Sequence, residues 1–276
     1  MHTIVHAARA AAVVSFVLFS GVAWAGRSCD APKPPATSMI EKGMALAERT
    51  LKALDAEHAK NGTKLVVLAR AGQDLSKYSL RYSHLGLAYK TPDGRWLVAH
   101  KLNACGTDEA SVYRQGLGEF FLDDLFRFEA AWTVPSRDVQ DKVHAVLLDT
   151  QRATSMHTKA YSMVSYVWAQ KYQQSNQWAI ETIALAMDGT CNREQSMKAS
   201  RQCAQAWLQS KGYEPTTLKI GALTRLGGRI TAANVAFDDH PNEKRFSDRI
   251  ETVTVDSVFA WMQRSALGTA PVALRL

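Results

Sequence analysis

Two histidines, His84 and His100, fall within RYSHLGLAYKTPDGRWLVAH, residues 81–100, a stretch that reads as a β-hairpin. An imidazole titrates near neutrality, so a pair can move a proton, one ring acting as general base and the other orienting it. The same pair could hold a metal, but such a site wants a third ligand, and the hairpin offers none. No metal and no cofactor are therefore expected. The turn decides whether the rings can meet. TPDG offers Pro92, whose ring fixes φ for a turn, and Gly94, which tolerates the left-handed region. A three-residue loop, Pro92-Asp93-Gly94, sets Thr91 opposite Arg95. Gly86 then faces His100 and His84 faces Leu102. The imidazoles become diagonal neighbours on one face, with Cβ atoms about 7 Å apart. A two-residue loop would slip the register by one and put them on opposite faces.

Four cysteines, Cys29, Cys105, Cys191 and Cys203, could carry redox or nucleophilic chemistry. Their spacings match no zinc pattern. Cys191 and Cys203 are close in sequence and pair easily, which leaves Cys29 with Cys105. The competing reading keeps Cys105 free as a nucleophile, five residues beyond His100. Asp238, Asp239 and His240 stand in a row, but neighbours on an extended chain point in opposite directions and chelate poorly. Glu119, Asp123 and Asp124 could line a helix face. Tyr161, Tyr166, Trp168, Tyr172 and Trp178 could line a groove for a sugar or peptide, or simply pack a core.

The elements that position these groups alternate between helix and strand. Ser38-x-x-Glu41 forms a capping box ahead of a helix over 39–59, with a stripe of Ile40, Met44, Ala47, Leu51 and Leu54. KLVVLAR (64–70) is a buried strand, and 72–81 a loop. A short helix is expected around 115–123, then a strand with Phe126, Phe128, Trp132 and Val134 on one face. Helices follow over 136–149, 175–187 and 197–212, the second capped by Ser175 or Asn176. Part of 161–172 reads as strand, and 212–256 as mainly β, closed by a short helix. No internal repeat or long linker divides the chain. The expected fold is a single α+β domain, a mainly antiparallel sheet with packed helices.

The first 25 residues read as a signal peptide. Arg9 precedes an apolar run too short for a comfortable membrane span, and Ala23-Trp24-Ala25 has the small-x-small form of a cleavage site. The alternative is an uncleaved anchor. Cleavage near Ala25 leaves about 250 residues, enough for one large core, and a periplasmic or secreted chain in which disulfides persist. The formal charge of +7 is spread without a Lys/Arg run, so no nucleic-acid partner is expected. Nor is a transmembrane helix expected in the mature chain.

The blocks ARAGQDLSKYSLRYSHLGLAY, LNACGT, QGLGEFFLDDLFRFEA, YQQSNQW and RIETVTVDSVFAW resemble a bacterial family, domain of unknown function family 2145, over the whole of residues 26–276. More remotely, YSHLGLAY is similar to the histidine strand of circularly permuted NlpC-type and lecithin retinol acyltransferase-like cysteine hydrolases. That likeness implies a permuted papain-like core with His84 and His100 as its first two polar elements. It places the third at the start of the helix in SNQWAIETIALAM, where Ser175, Asn176, Gln177 and Trp178 would line the cleft. Gln177 then occupies the nucleophile position. A thiol there would be activated by the helix N-terminus, whereas a glutamine can form no acyl intermediate.

Three functions follow. The first is an exported envelope protein that binds a peptide, amide or glycan fragment in a degenerate papain-like cleft. The second is a hydrolase or acyltransferase on cell-wall peptides or acyl bonds, with His84 as base. The third is a structural accessory of the envelope.

Overall fold

The computed structural model describes residues 34–123, 125–191 and 196–276. The expected leader, Cys29 and Asp124 lie outside the described residues. The chain runs α1 (Thr37–Asn61), β1 (Leu65–Ala71), β2 (His84–Lys90), β3 (Trp96–Asn103), β4 (Ala110–Gly116), α2 (Leu117–Leu122), β5 (Arg127–Thr133), α3 (Arg137–Leu148) and α4 (Thr150–Thr154). It continues α5 (Ser175–Met187), α6 (Met197–Ser210), β6 (Thr216–Lys219), α7 (Ala222–Thr231), α8 (Asn242–Arg245), β7 (Arg249–Thr252), α9 (Val255–Arg264) and β8 (Val272–Arg275).

Six antiparallel strands form one sheet in the order β4-β3-β2-β1-β5-β8. Strand alternation sends each side chain to one of two helical layers. Leu65, Val67, Ala69, Leu85, Leu87 and Ala99 face α3, α5, α6 and α9. Val66, Leu68, Ala88, Trp96, Val98 and Trp132 face α1 and α2. With both faces covered, β1 is buried at every position, which is why LVVLARA is apolar throughout except at Arg70. The result is the single α+β domain expected. A two-stranded ribbon, β6-β7, carries a smaller cluster of Leu218, Ile220, Val235, Phe237 and Ile250.

The hairpin adopts the three-residue loop. Leu87 pairs with Ala99 and Lys90 with Trp96, Thr91 N donates to Arg95 O at 2.7 Å, and Gly94 has φ +88°. Elsewhere the structure departs from expectation. Helix α1 buries Gly43, Leu46, Ala47, Thr50 and Leu54, whereas Ile40, Met44 and Leu51 stay exposed. Gly43 turns the helix that way: a Cβ there would lie 2.9 Å from the Phe121 carbonyl oxygen, so α1 meets α2 at the glycine. No capping box forms at Ser38, because the helix begins at Thr37. Residues 161–172 form turns rather than a strand. Met163 N donates to Asn234 O and Tyr166 N to Asp239 Oδ2, so the backbone is satisfied outside any ladder. The 212–256 region holds only two short strands. Leu223, Leu226 and Ile230 recur at three and four residues, and that period makes α7 a helix.

Candidate functional site

The sequence HLGLAYK turns His84, Gly86 and Ala88 to the α1–α2 face and Leu85, Leu87 and Tyr89 to the α5 face. Gly86 lies beside His100, one step beyond the last β2–β3 pair, Leu87–Ala99. A Cβ on residue 86 would lie 2.5 Å from Val98 Cγ1 and 3.1 Å from His100 Cβ. The missing methyl lets His100 lean across β2. The diagonal pair thereby becomes a direct contact, with His84 Nε2 and His100 Nδ1 2.8 Å apart and the rings at 72°. On the other side, His100 Nε2 lies 2.7 Å from Oε1 of Gln115 on β4. Phe120 of α2 closes over both imidazoles, its ring 5.2 Å from His100 and 6.0 Å from His84.

Proton order follows from this chain. Gln115 Oε1 can only accept, so His100 Nε2–H donates to it. Neutral His100 then presents a bare Nδ1, which accepts from His84 Nε2–H. His84 Nδ1 is left as a lone pair, with no hydrogen-bond partner among the described residues. His100 is wholly buried, and His84 keeps 9% of its surface. Burial holds both rings neutral, helped by the Arg70 guanidinium beside them. It carries His100 from 6.5 down to about 4 and His84 well below its usual value. Arg70 is itself buried. It donates to the Phe120 carbonyl and Asp123, lies over the Phe120 ring, and keeps its Nε without a partner.

The helix start does not join this group. Gln177 is fully buried on the other side of the sheet. It accepts from Ser165 Oγ at 2.8 Å and donates to Val167 O and Glu181. Trp178 packs in the α5 core, and Ser175 is buried at the helix start. The cap of α5 is the Gln174 side chain rather than Ser175 or Asn176. Of Ser175, Asn176, Gln177 and Trp178, Asn176 is the one that hydrogen-bonds to β2. Its Oδ1 accepts from Leu85 N at 3.0 Å, where β2 has parted from β3, so it touches the backbone beside His84 and not the ring. The expected convergence of imidazoles and helix start is therefore corrected, because α5 packs against Leu85 and Leu87, whose side chains point away from His84.

Beneath α5 lies a second polar group that the residue types did not signal. Glu181 is buried and accepts from Arg201, Gln173, Gln177 and Gln205. Lys101, next to His100 but facing the opposite way, donates to Thr158 O at 2.6 Å and Gln173 Oε1 at 2.9 Å. Burial, then the charge of Arg201, pulls its amine down to about 6. The satisfied hydrogen bonds make this group a clamp between α5, α6 and the 158–174 segment.

Cys105, Cys191 and Cys203 are not free nucleophiles. Cys191 and Cys203 are joined with Cα atoms 5.4 Å apart, Cys105 is also disulfide-bonded, and none is free among the described residues. That removes the free-thiol reading of Cys105. Asp239 and His240 sit on a turn, not an extended run, and bond each other at 2.9 Å in full burial. Among the described residues no helix is long and apolar enough to cross a membrane. Gln115, Arg70 and Phe120 were missed from sequence. The segment ASVYRQG forms β4, a strand not among the expected elements, and it takes the first two residues of the helix expected around 115–123.

No curated protein and no solved structure matches the chain. A family model described as "Uncharacterized protein conserved in bacteria (DUF2145)" matches residues 57–262, a span that contains β1 to β7, the whole imidazole chain and the Glu181 clamp. The chain belongs to the DUF2145 family.

Proposed function

We propose that the protein is an exported envelope component that binds an amide-bearing ligand, a peptide or glycan fragment of the cell wall, at His84 without cleaving it. The observation that carries this reading is the proton order Gln115–His100–His84. It presents one neutral imidazole nitrogen as an acceptor at the rim of a buried pair. A neutral acceptor suits an N–H or O–H donor and does not attract an anion. Binding is favoured over covalent catalysis because no thiol is free among the described residues and Gln177 is held on the far side of the sheet.

The test uses muropeptides released from purified cell wall, added to the ¹⁵N-labelled protein. Chemical-shift changes should centre on residues 83–86 and 100–102 and vanish in His84→Ala. A second reading is a hydrolase in which His84 Nδ1 takes a proton from water, favoured by the same neutral lone pair. Chromatography of the muropeptides after incubation separates the two, since new fragments that depend on His84 support hydrolysis. Shift changes that survive in His84→Ala would rule out this site for either role. The export part is checked by intact mass of periplasmic protein, which should begin near Gly26.

A further inference from the structure

We propose that helix α7 is a membrane-surface element, resting on an anionic phospholipid layer with its outer apolar stripe inserted and the neighbouring basic residues on the headgroups. Its amphipathicity is inverted. A helix on a domain surface normally turns its apolar stripe inward. Here the one buried side chain is Arg225, which donates to Ile220 O and Asp248. The stripe at i, i+3 and i+7 faces outward, with Leu223 86%, Leu226 57% and Ile230 75% exposed. Arg225 fixes this roll, because its bonds to Ile220, just after β6, and Asp248, just before β7, tie down the opposite face. Single exposed apolar residues need no explanation, but three on one face form a patch of the kind that meets a partner.

Charge selects the occupant. Lys77 and Lys219 line one shallow depression with Thr224 of α7. Arg249 is the cross-strand partner of Lys219, and Arg229 adjoins Ile230 on the helix. All four are exposed, and none makes an ion pair among the described residues. Of the nearby acids, Asp248 is held by Arg225 and Glu251 by Lys244, which leaves Glu243 and Asp74, whose Oδ1 accepts from Ser76 N. Phe246, 70% exposed two residues before Asp248, adds an aromatic ring to this end of the molecule. An apolar stripe edged by unpaired cations matches the headgroup–acyl boundary, where apolar insertion and headgroup attraction act together. The site is separate from His84 and does not depend on the ligand read there.

The experiment is sedimentation of the purified mature chain with vesicles of phosphatidylglycerol and phosphatidylcholine in equal parts, and with pure phosphatidylcholine. The chain should pellet with the anionic vesicles only, and less as salt is raised. Lys219→Ser and Arg229→Ser should each weaken binding by about five-fold. Leu226→Ser/Ile230→Ser should abolish it while leaving the circular-dichroism melt unchanged, since neither side chain is in the core. Equal pelleting by that double variant, or no pelleting of the parent chain, overturns the proposal. So does concentration-dependent self-association that the double variant loses, because the stripe would then cover a second copy.

Discussion

Replacing His100 with asparagine should flatten the pH dependence of stability between pH 7.5 and 5. In the unfolded chain His100 takes a proton as pH falls through 6.5, whereas in the folded chain it stays neutral down to about 4. Below 6.5 the unfolded state therefore binds more protons, and stability falls as pH falls. By pH 5 the imidazole is almost fully protonated in one state and almost neutral in the other, which amounts to about 2 kcal/mol lost for this one group. The loss reaches about 3 kcal/mol near pH 4. In a domain of this size about 2 kcal/mol lowers the melting temperature by about 4–8 °C. His84 is shifted in the same direction, chiefly by burial, and adds to the slope. The assay is guanidinium unfolding at several pH values for both proteins. The window above pH 5 avoids most carboxylates. Asparagine keeps a polar side chain beside Gly86, so the parent should lose about 2 kcal/mol more than the variant over this range. Identical slopes, or an imidazole resonance of His100 that titrates near 6.5, would refute the neutral buried relay.

Other outcomes follow from the same structure. Arg201→Met leaves Glu181 charged in the core without its guanidinium and should cost about 3–5 kcal/mol in urea unfolding. Cys191→Ser/Cys203→Ser opens a short covalent loop and should cost about 3 kcal/mol, read in the same way without reductant. Gly86→Ala forces a methyl against Val98 and should cost about 1–3 kcal/mol, with a shift of the His100 ring resonances. A Gln177→Cys thiol, buried beyond the sheet from His84, should react with an electrophile more slowly than an exposed control cysteine; faster reaction would restore the papain-like geometry.

Local chemistry carried much of the fold. Pro92-Asp93-Gly94 set a register that needs no tertiary information, and the helix over 175–187 lies at its expected bounds. The expected β character of 212–256 failed on a local signal, the helical period of Leu223, Leu226 and Ile230, and other departures depended on partners remote in sequence. The roll of α1 is decided by Gly43 meeting the Phe121 carbonyl, a contact that no periodicity can express. The aromatic 161–172 segment has strand-like composition, yet it is held by Asn234 and Asp239 in turns. For the site, the two imidazoles were legible because they share a hairpin. Gln115 was not, because its strand lies beyond the turn that follows Asn103. The helix start was assigned to the wrong side of the sheet. Sequence spacing says which residues approach a strand, but not from which face.

The meander order of the strands has a kinetic consequence. His84, His100 and Gln115 lie on β2, β3 and β4, consecutive strands that pair with their chain neighbours. Contacts that close only short loops form early and at small entropic cost. The β1–β5 and β5–β8 pairings bridge far longer stretches of chain and must come later. The imidazole chain thus belongs to the part of the molecule that assembles first, and α5 docks on a sheet whose opposite face is already zipped. Substitutions in β2 and β3 should slow refolding, whereas those at the β5–β8 seam should mainly hasten unfolding. Stopped-flow chevrons of Val98→Ala and Ala131→Gly distinguish the two limbs, and a refolding rate more sensitive to the second would reverse this order.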